Sequence, residues 1–326
     1  MKILNKIDLH LHIDGSAKPE TVYEIAHKYG IEPECGMSLD EIRKSMTVAD
    51  GEYDPDFLTF DPPIRAMQTA EGISRITQEL VEELERQGLV YAELRFAPQY
   101  HTQKGMTQED AVKAAIEGLN KGLAGCKTLK AGLIVCAMNH CDPMDNHEEN
   151  LETVRLAKKY LGKGVVAVDL AGYEERMPEY ADIFALAKEL GVPATTHSEF
   201  TVADALEYGT SRIGHGYQAA LIEELTEKVI EKGVTLEMCP DSSLSYEYGL
   251  QGDETHPLYV LYRKGARVTV NTDNMTVLDT DLEKEYELCR KMGFTDEDII
   301  KMNNYAIEAC FADEETKKAL LAVQPL

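Results

Sequence analysis

Ile7-Asp8-Leu9-His10-Leu11-His12-Ile13-Asp14-Gly15 decides the fold. In an extended strand alternate side chains take opposite faces, so His10 and His12 share one face and Leu9, Leu11 and Ile13 the other. Two imidazoles side by side on a strand face offer a chelate for a metal ion. Asp14-Gly15-Ser16 then breaks the run as a turn cluster, so both histidines sit at the strand's C-terminal end. For such a pair alone, in a chain with 9 histidines, half-buried imidazoles satisfied by hydrogen bonds are the plainer reading. Matching partners elsewhere in the chain shift the balance toward a metal.

With 326 residues, the chain can form two domains or one α/β barrel. Its 44% hydrophobic and 28% charged residues describe a soluble globular protein. The 33 Lys and Arg against 58 Asp and Glu leave a net charge of −25. Such a surface repels polynucleotides and anionic membranes, so neither is an expected partner. Six residues before Ile7 are too few for a signal peptide, and no apolar stretch approaches the length of a membrane span. The 7 cysteines are scattered without a CxxC pair, which reads as reduced thiols and a cytoplasmic location. Nothing here fixes the oligomeric state, and a monomer is compatible with it.

Working outward from the first strand, residues 19–29 read as a helix closed by Gly30, and 31–70 as irregular. An amphipathic helix follows, marked by Ile73, Ile76, Leu80, Val81 and Leu84. Strands are then expected at 89–96, 131–137, 165–170, 192–197, 212–215, 234–239 and 266–272, most of them followed by a helix. With the first strand this makes eight βα units, without linker or low-complexity segment. The expected fold is therefore α/β, a closed (β/α)8 TIM-type barrel spanning 1–326 as a single domain. About 31–70 would form a lid or insertion and about 283–326 extra C-terminal helices. An open doubly wound sheet is the alternative, but no glycine-rich phosphate loop follows a strand.

Chemistry in such barrels sits at the C-terminal strand ends. Those ends carry His10 and His12, then His197, His215 and Asp273, from four separate strands. Nitrogen and oxygen ligands without thiolate suit Zn²⁺, with other divalent ions open. His10, His12, His197 and Asp273 can hold one ion and leave a position for water, whose pKa falls toward ~7. His215 is then free to orient the hydroxide or take its proton. Glu199 is the nearby carboxyl that can donate a proton to substrate, and an ordinary solvated loop glutamate is its equal competitor.

At this point the sequence resembles the adenosine deaminase family of metal-dependent hydrolase barrels, nearly end to end. Residues 7–16 are similar to its first metal motif, and Tyr91-Ala92-Glu93-Leu94-Arg95-Phe96-Ala97-Pro98-Gln99 to its second strand. Asp169-Leu170-Ala171-Gly172, Arg212-Ile213-Gly214-His215-Gly216, Cys239-Pro240-Asp241-Ser242-Ser243 and Asn271-Thr272-Asp273 complete the likeness. The resemblance implies the ligand set above, His215 beside the hydroxide, Asp14 against the ribose and Gly172 against a ring nitrogen. Residues 57–69 resemble its lid, so Phe57 and Phe60, with Leu58 and Met67, are expected over the nucleoside. His12 would also border the substrate.

Two positions depart from the family pattern. The family writes Ala-Gly-Glu after its third metal histidine, whereas here His197-Ser198-Glu199-Phe200 brings the glutamate one position early on a shorter loop. Asn274 stands where Asp is common, and its amide can donate to purine N7 at any pH. The implied activity is zinc-dependent hydrolytic deamination of adenosine or 2′-deoxyadenosine, with a small purine nucleoside as ligand. The alternatives are another aminopurine or modified nucleoside on the same metal site, or a silent nucleoside binder.

Overall fold

The computed structural model describes residues 5–48, 54, 56–139, 146–244 and 256–323. Eight parallel strands run in chain order: β1 (Lys6–His12), β2 (Leu89–Phe96), β3 (Lys130–Asn139), β4 (Val165–Gly172), β5 (His197–Ser198), β6 (Arg212–His215), β7 (Thr235–Met238) and β8 (Arg267–Val270). They form two four-stranded sheets, β1 to β4 and β5 to β8. Both seams close. At one, His12 N donates to Asp273 O and Asp273 N to His10 O, each at 2.8 Å. At the other, Val168 N donates to Pro193 O at 3.0 Å and Thr195 N to Val168 O at 3.1 Å. Side chains reinforce the first seam: Asp8 Oδ2 accepts from Thr272 N and Oγ1, and Asn271 Oδ1 accepts from Leu9 N. The result is the expected α/β barrel.

Strand interiors are buried on both faces, as a parallel sheet wrapped by helices requires. Helices Ala70–Arg86 and Gln108–Gly125 pack especially closely: a Cβ on Gly118 would stand 2.3 Å from Ser74 O, and one on Gly122 2.7 Å from Val81 Cβ. Three further helices, Leu282–Lys291, Asp296–Ala309 and Glu314–Val323, end the described chain. Ala306 and Ile307 of the second, Leu320 of the third and Cys310 between them cluster with Ile7, Leu9 and Tyr91.

Several boundaries differ from the sequence reading. The fifth strand was expected over 192–197 but runs only His197–Ser198, preceded by a single bridge at Ala194. Pro193 has no N–H to give a ladder there. Between β6 and β7 the chain forms two helices rather than one, Gln218–Leu221 and Glu223–Lys232, broken by the extended backbone of Ile222. The 31–70 segment is partly helical, with helices Leu39–Ser45 and Asp61–Ala66; residues 49–53 and 55 within it lie outside the described residues.

Inside the barrel lies an ionic layer. Arg95 and Arg212, with Glu93, Asp169 and Glu237, are all fully buried. Arg95 donates to Asp169 Oδ2 at 2.9 Å and to Glu237 Oε2 at 2.8 Å. Arg212 Nε donates to Glu237 Oε1 at 2.6 Å, and its Nη2 pairs with Glu93 Oε2 at 2.6 Å. Buried charges persist only when paired and hydrogen-bonded, and each of these meets at least one opposite charge.

Candidate active site

Above the ionic layer, the C-terminal ends of β1, β5, β6 and β8 bring five metal-capable side chains together. His197 Nε2 lies 3.1 Å from both His10 Nε2 and His12 Nε2. Asp273 Oδ1 lies 3.6 Å from His10 Nε2 and 3.5 Å from His12 Nε2. Ligands on a tetrahedron with bonds of ~2.0–2.1 Å stand ~3.3–3.4 Å apart, and these separations bracket that value. His215 stands beside them, its ring centroid 4.8 Å from that of His10.

The proton positions argue for a cation as well. His10 Nδ1 donates to Glu237 Oε2 at 2.8 Å, and His197 Nδ1 faces Asp169 Oδ2 at 2.9 Å. A proton on each Nδ1 leaves a lone pair on each Nε2. Two lone pairs 3.1 Å apart in a buried site repel unless a positive charge, a metal ion or a proton held by His197, sits between them. Carboxylates behind histidines are the usual orienting shell of a metal site. Arg95 and Arg212 in turn fix those carboxylates. Burial would raise Glu237, but the two guanidiniums hold it well below the ordinary carboxylate range.

Burial, with the charge of Arg95, pushes His10 well below the usual imidazole range. His12 and His215 are also pushed well below that range, by burial and then by His197. Burial also works against protonation of His197, but Asp169 outweighs it and raises that residue. Burial raises Asp273.

His215 has a defined tautomer. Tyr217 Oη gives its single proton to Cys239 O at 3.1 Å, so it must accept from His215 Nδ1 at 3.0 Å. Nε2 of His215 therefore carries the lone pair. Glu199 Oε1 lies 4.0 Å from that atom.

These groups open onto a cavity of about 580 Å³, within the range of small-molecule sites. His12, Asp14, Gly172, His197, Glu199, His215, Asp273 and Asn274 all line it, as do Phe57 and Phe60. Two other residues expected in the lid lie elsewhere: Met67 is fully buried in the core and Leu58 is 62% exposed. Phe57 instead makes an edge-to-face contact with Tyr173 across the mouth, centroids 5.8 Å apart. Burial lifts Asp14 to about 6.

Glycines give the rings and ligand room. A Cβ on Gly214 would stand 2.8 Å from His10 Cε1. Gly172 has φ of +104°, and a Cβ there would meet Asn139 O at 2.3 Å.

A family model described as adenosine deaminase matches residues 5–323. The chain belongs to the adenosine deaminase family. An adenosine deaminase from Haemophilus ducreyi is 40% identical over 330 residues, covering 97% of this chain and 94% of its own. An N6-mAMP deaminase from Arabidopsis superposes with a TM-score of 0.83 at 25% identity, over 98% of this chain and 97% of that one. A zinc-bound amidohydrolase from Burkholderia ambifaria shares the fold with a TM-score of 0.85 at 21% identity, over 98% and 89% of the two chains. As an adenosine deaminase family member, the protein is a hydrolytic deaminase, and its His/Asp cluster fits the metal such enzymes use. No helix among the described residues is long and apolar enough to cross a membrane.

The sequence reading missed the shell behind the deaminase ligands: Asp169, Glu237, Arg95, Arg212 and the Tyr217 hydroxyl. The signal was present. A charge inside an otherwise apolar strand, such as Glu237 in Thr235-Leu236-Glu237-Met238, demands a buried partner of opposite sign. Glu93 and Arg95, two apart in β2, share one strand face by the same alternation that pairs His10 with His12.

Proposed function

We propose that the protein removes the 6-amino group of adenosine or 2′-deoxyadenosine with water, yielding inosine or 2′-deoxyinosine and ammonia, at a centre holding one Zn²⁺. The observation that carries this reading is the convergence of His10, His12, His197 and Asp273 beside His215 and Glu199 at the base of one cavity, with His10 buried behind its lining. Family membership and a full-length adenosine deaminase relative at 40% identity support the substrate. The zinc-bound structural neighbour supports the choice of ion.

Bound by His10, His12, His197 and Asp273, the ion would supply an activated water with a pKa lowered toward ~7. His215 Nε2, with its lone pair free, accepts a proton during attack at the amino-bearing carbon. Attack moves electron density onto the adjacent ring nitrogen, and Glu199 delivers the proton that nitrogen needs. Asp14 meets the ribose, Gly172 a ring nitrogen and the Asn274 amide N7. Phe57 and Phe60, on the lid segment of one domain spanning 1–326, shield the reacting centre from water.

The cavity favours a nucleoside over a nucleotide. Asp14, Asp56, Asp61, Glu174 and Glu199 line it, and among the described residues no Lys or Arg does. A 5′-phosphate would add negative charge to a lining rich in acidic side chains, with no Lys or Arg among the described residues to pair it. The fold neighbour named as an N6-mAMP deaminase acts on a phosphorylated ligand, so the two would part at this feature. A cytoplasmic, soluble enzyme fits the free thiols.

The test is a panel of adenosine, 2′-deoxyadenosine, adenine and AMP, followed by ammonia release, with elemental analysis of the same protein. The reading expects turnover of the two nucleosides, far slower turnover of AMP, and one divalent ion per chain that His10→Ala and Asp273→Ala lose. AMP as the preferred substrate would overturn the nucleoside assignment, and full metal occupancy in both variants the ligand assignment.

A further inference from the structure

The short loop after His197 raises a specific mechanical question. β5 ends at Ser198, so the backbone N–H groups of the next residues have no strand partner. Unpaired N–H groups in a partly buried turn are costly, and a turn without partners samples several conformations. Glu199 must nevertheless present its carboxyl to the cavity.

The carboxylate of Glu174, two residues past the end of β4, takes those groups. It accepts from Glu199 N, from Phe200 N at 2.9 Å and from Thr201 Oγ1 at 2.9 Å. Donors on three successive residues therefore end on one side chain. Charge-assisted bonds of this kind are about twice as strong as neutral ones. On the other side of the peptide, Gln218 N donates to Glu199 O at 2.8 Å, and Gly216 N to Ser198 O at 3.0 Å. Ser198 Oγ pairs with Thr201 Oγ1 at 3.0 Å. The backbone of Glu199 is thus gripped at both its N–H and its carbonyl. With Ser198 turned into the protein, strand alternation carries Glu199 back to the face that His197 occupies. That path lets a glutamate two residues after the ligand histidine reach within 4.0 Å of His215 Nε2.

We propose that Glu174 is a positioning residue for deamination: its carboxylate clamps the 199–201 turn and so aims Glu199 at the substrate's ring nitrogen. This deepens the proposed reaction and rests on Glu199 as its proton donor. The clamp makes the shorter loop workable, because one carboxylate takes the N–H groups of 199 and 200 that lie beyond the end of the strand.

Glu174→Ala and Glu174→Gln test it in the full-length, metal-loaded protein, alone and combined with Glu199→Gln. The clamp predicts retained metal, kcat on adenosine reduced roughly 10–100-fold and KM little changed, since a misplacement of about 1 Å at the reacting centre has that effect. Combined with Glu199→Gln, neither substitution should slow the enzyme further, because both act through one group. Hydrogen exchange at the Glu199 and Phe200 amides should speed up in both Glu174 variants while amides of β1 and β2 stay protected. Multiplying rate losses in the double variant, a change confined to KM, or unaltered exchange at 199–200 would each overturn the proposal. If Glu199→Gln alone keeps parental activity, the acid assignment falls, and exchange at 199–200 still decides whether the clamp exists.

Discussion

His215 and Asp273 have φ of 63° and 59°, in the left-handed region that residues with a Cβ rarely enter. Holding such a residue there costs on the order of 1–3 kcal/mol, which the surrounding contacts must offset. Both stand at strand ends facing the cavity, where the turn of the backbone aims the side chain at the metal cluster. The five clustered groups were legible as a set, because each is a polar residue closing an apolar strand. Their backbone strain was not, since no residue type announces it. His215 has its lone pair toward the cavity and lies outside the tight 3.1–3.6 Å set. His215→Ala should therefore keep the metal and slow adenosine turnover by ~10²–10⁴-fold, the usual loss for an acid–base group. Metal content and kcat measured on one preparation check this; metal lost together with activity would make His215 a ligand.

Among the elements, long strands and helices follow their sequence patterns closely. β1, β2 and the Pro19–Tyr29 helix lie within a residue or so of the reading. The 31–70 segment does not, and its signals were local. Ser38 and Glu41 form a reciprocal capping box that starts the Leu39–Ser45 helix. Pro62 and Pro63, taken as loop residues, begin the Asp61–Ala66 helix, where a missing N–H costs nothing. That helix is anchored below by Arg65, which donates to both oxygens of the buried Glu34 carboxylate. Ahead of it, Phe57 and Phe60 face the cavity. Phe60→Ala should raise KM for adenosine several-fold and leave the melting temperature nearly unchanged. The reverse, a lower melting temperature with the same KM, would make Phe60 a packing residue.

For the molecule as a whole, the net charge is −25, and the barrel's interior holds an ordered ionic layer. Closure of both seams and the site at the C-terminal strand ends followed from the alternation of βα units. The ionic layer did not, because paired charges on neighbouring strands look unrelated along the chain. Two histidines buried elsewhere in the fold make stability depend on pH. His101 is fully buried with no hydrogen-bond partner among the described residues, and burial lowers it to about 3. Burial lowers His256 to about 4. Both stay neutral in the folded protein and gain protons near 6.5 when unfolded. Their contribution to stability is therefore full above pH 6.5 and declines as pH falls toward 3–4. Melting temperature against pH should be shallower for His101→Leu than for the parent between pH 6.5 and 4; equal slopes would remove His101 from that account.

The central claim is that this barrel deaminates adenosine by protonating the ring from Glu199 while His10, His12, His197 and Asp273 hold the metal. Ammonia release from adenosine by Glu199→Gln, with metal content determined on the same sample, tests it most directly. The account predicts steady turnover by the parent, and full metal occupancy with activity reduced at least ~10²-fold in the variant. Parental turnover by Glu199→Gln would contradict it.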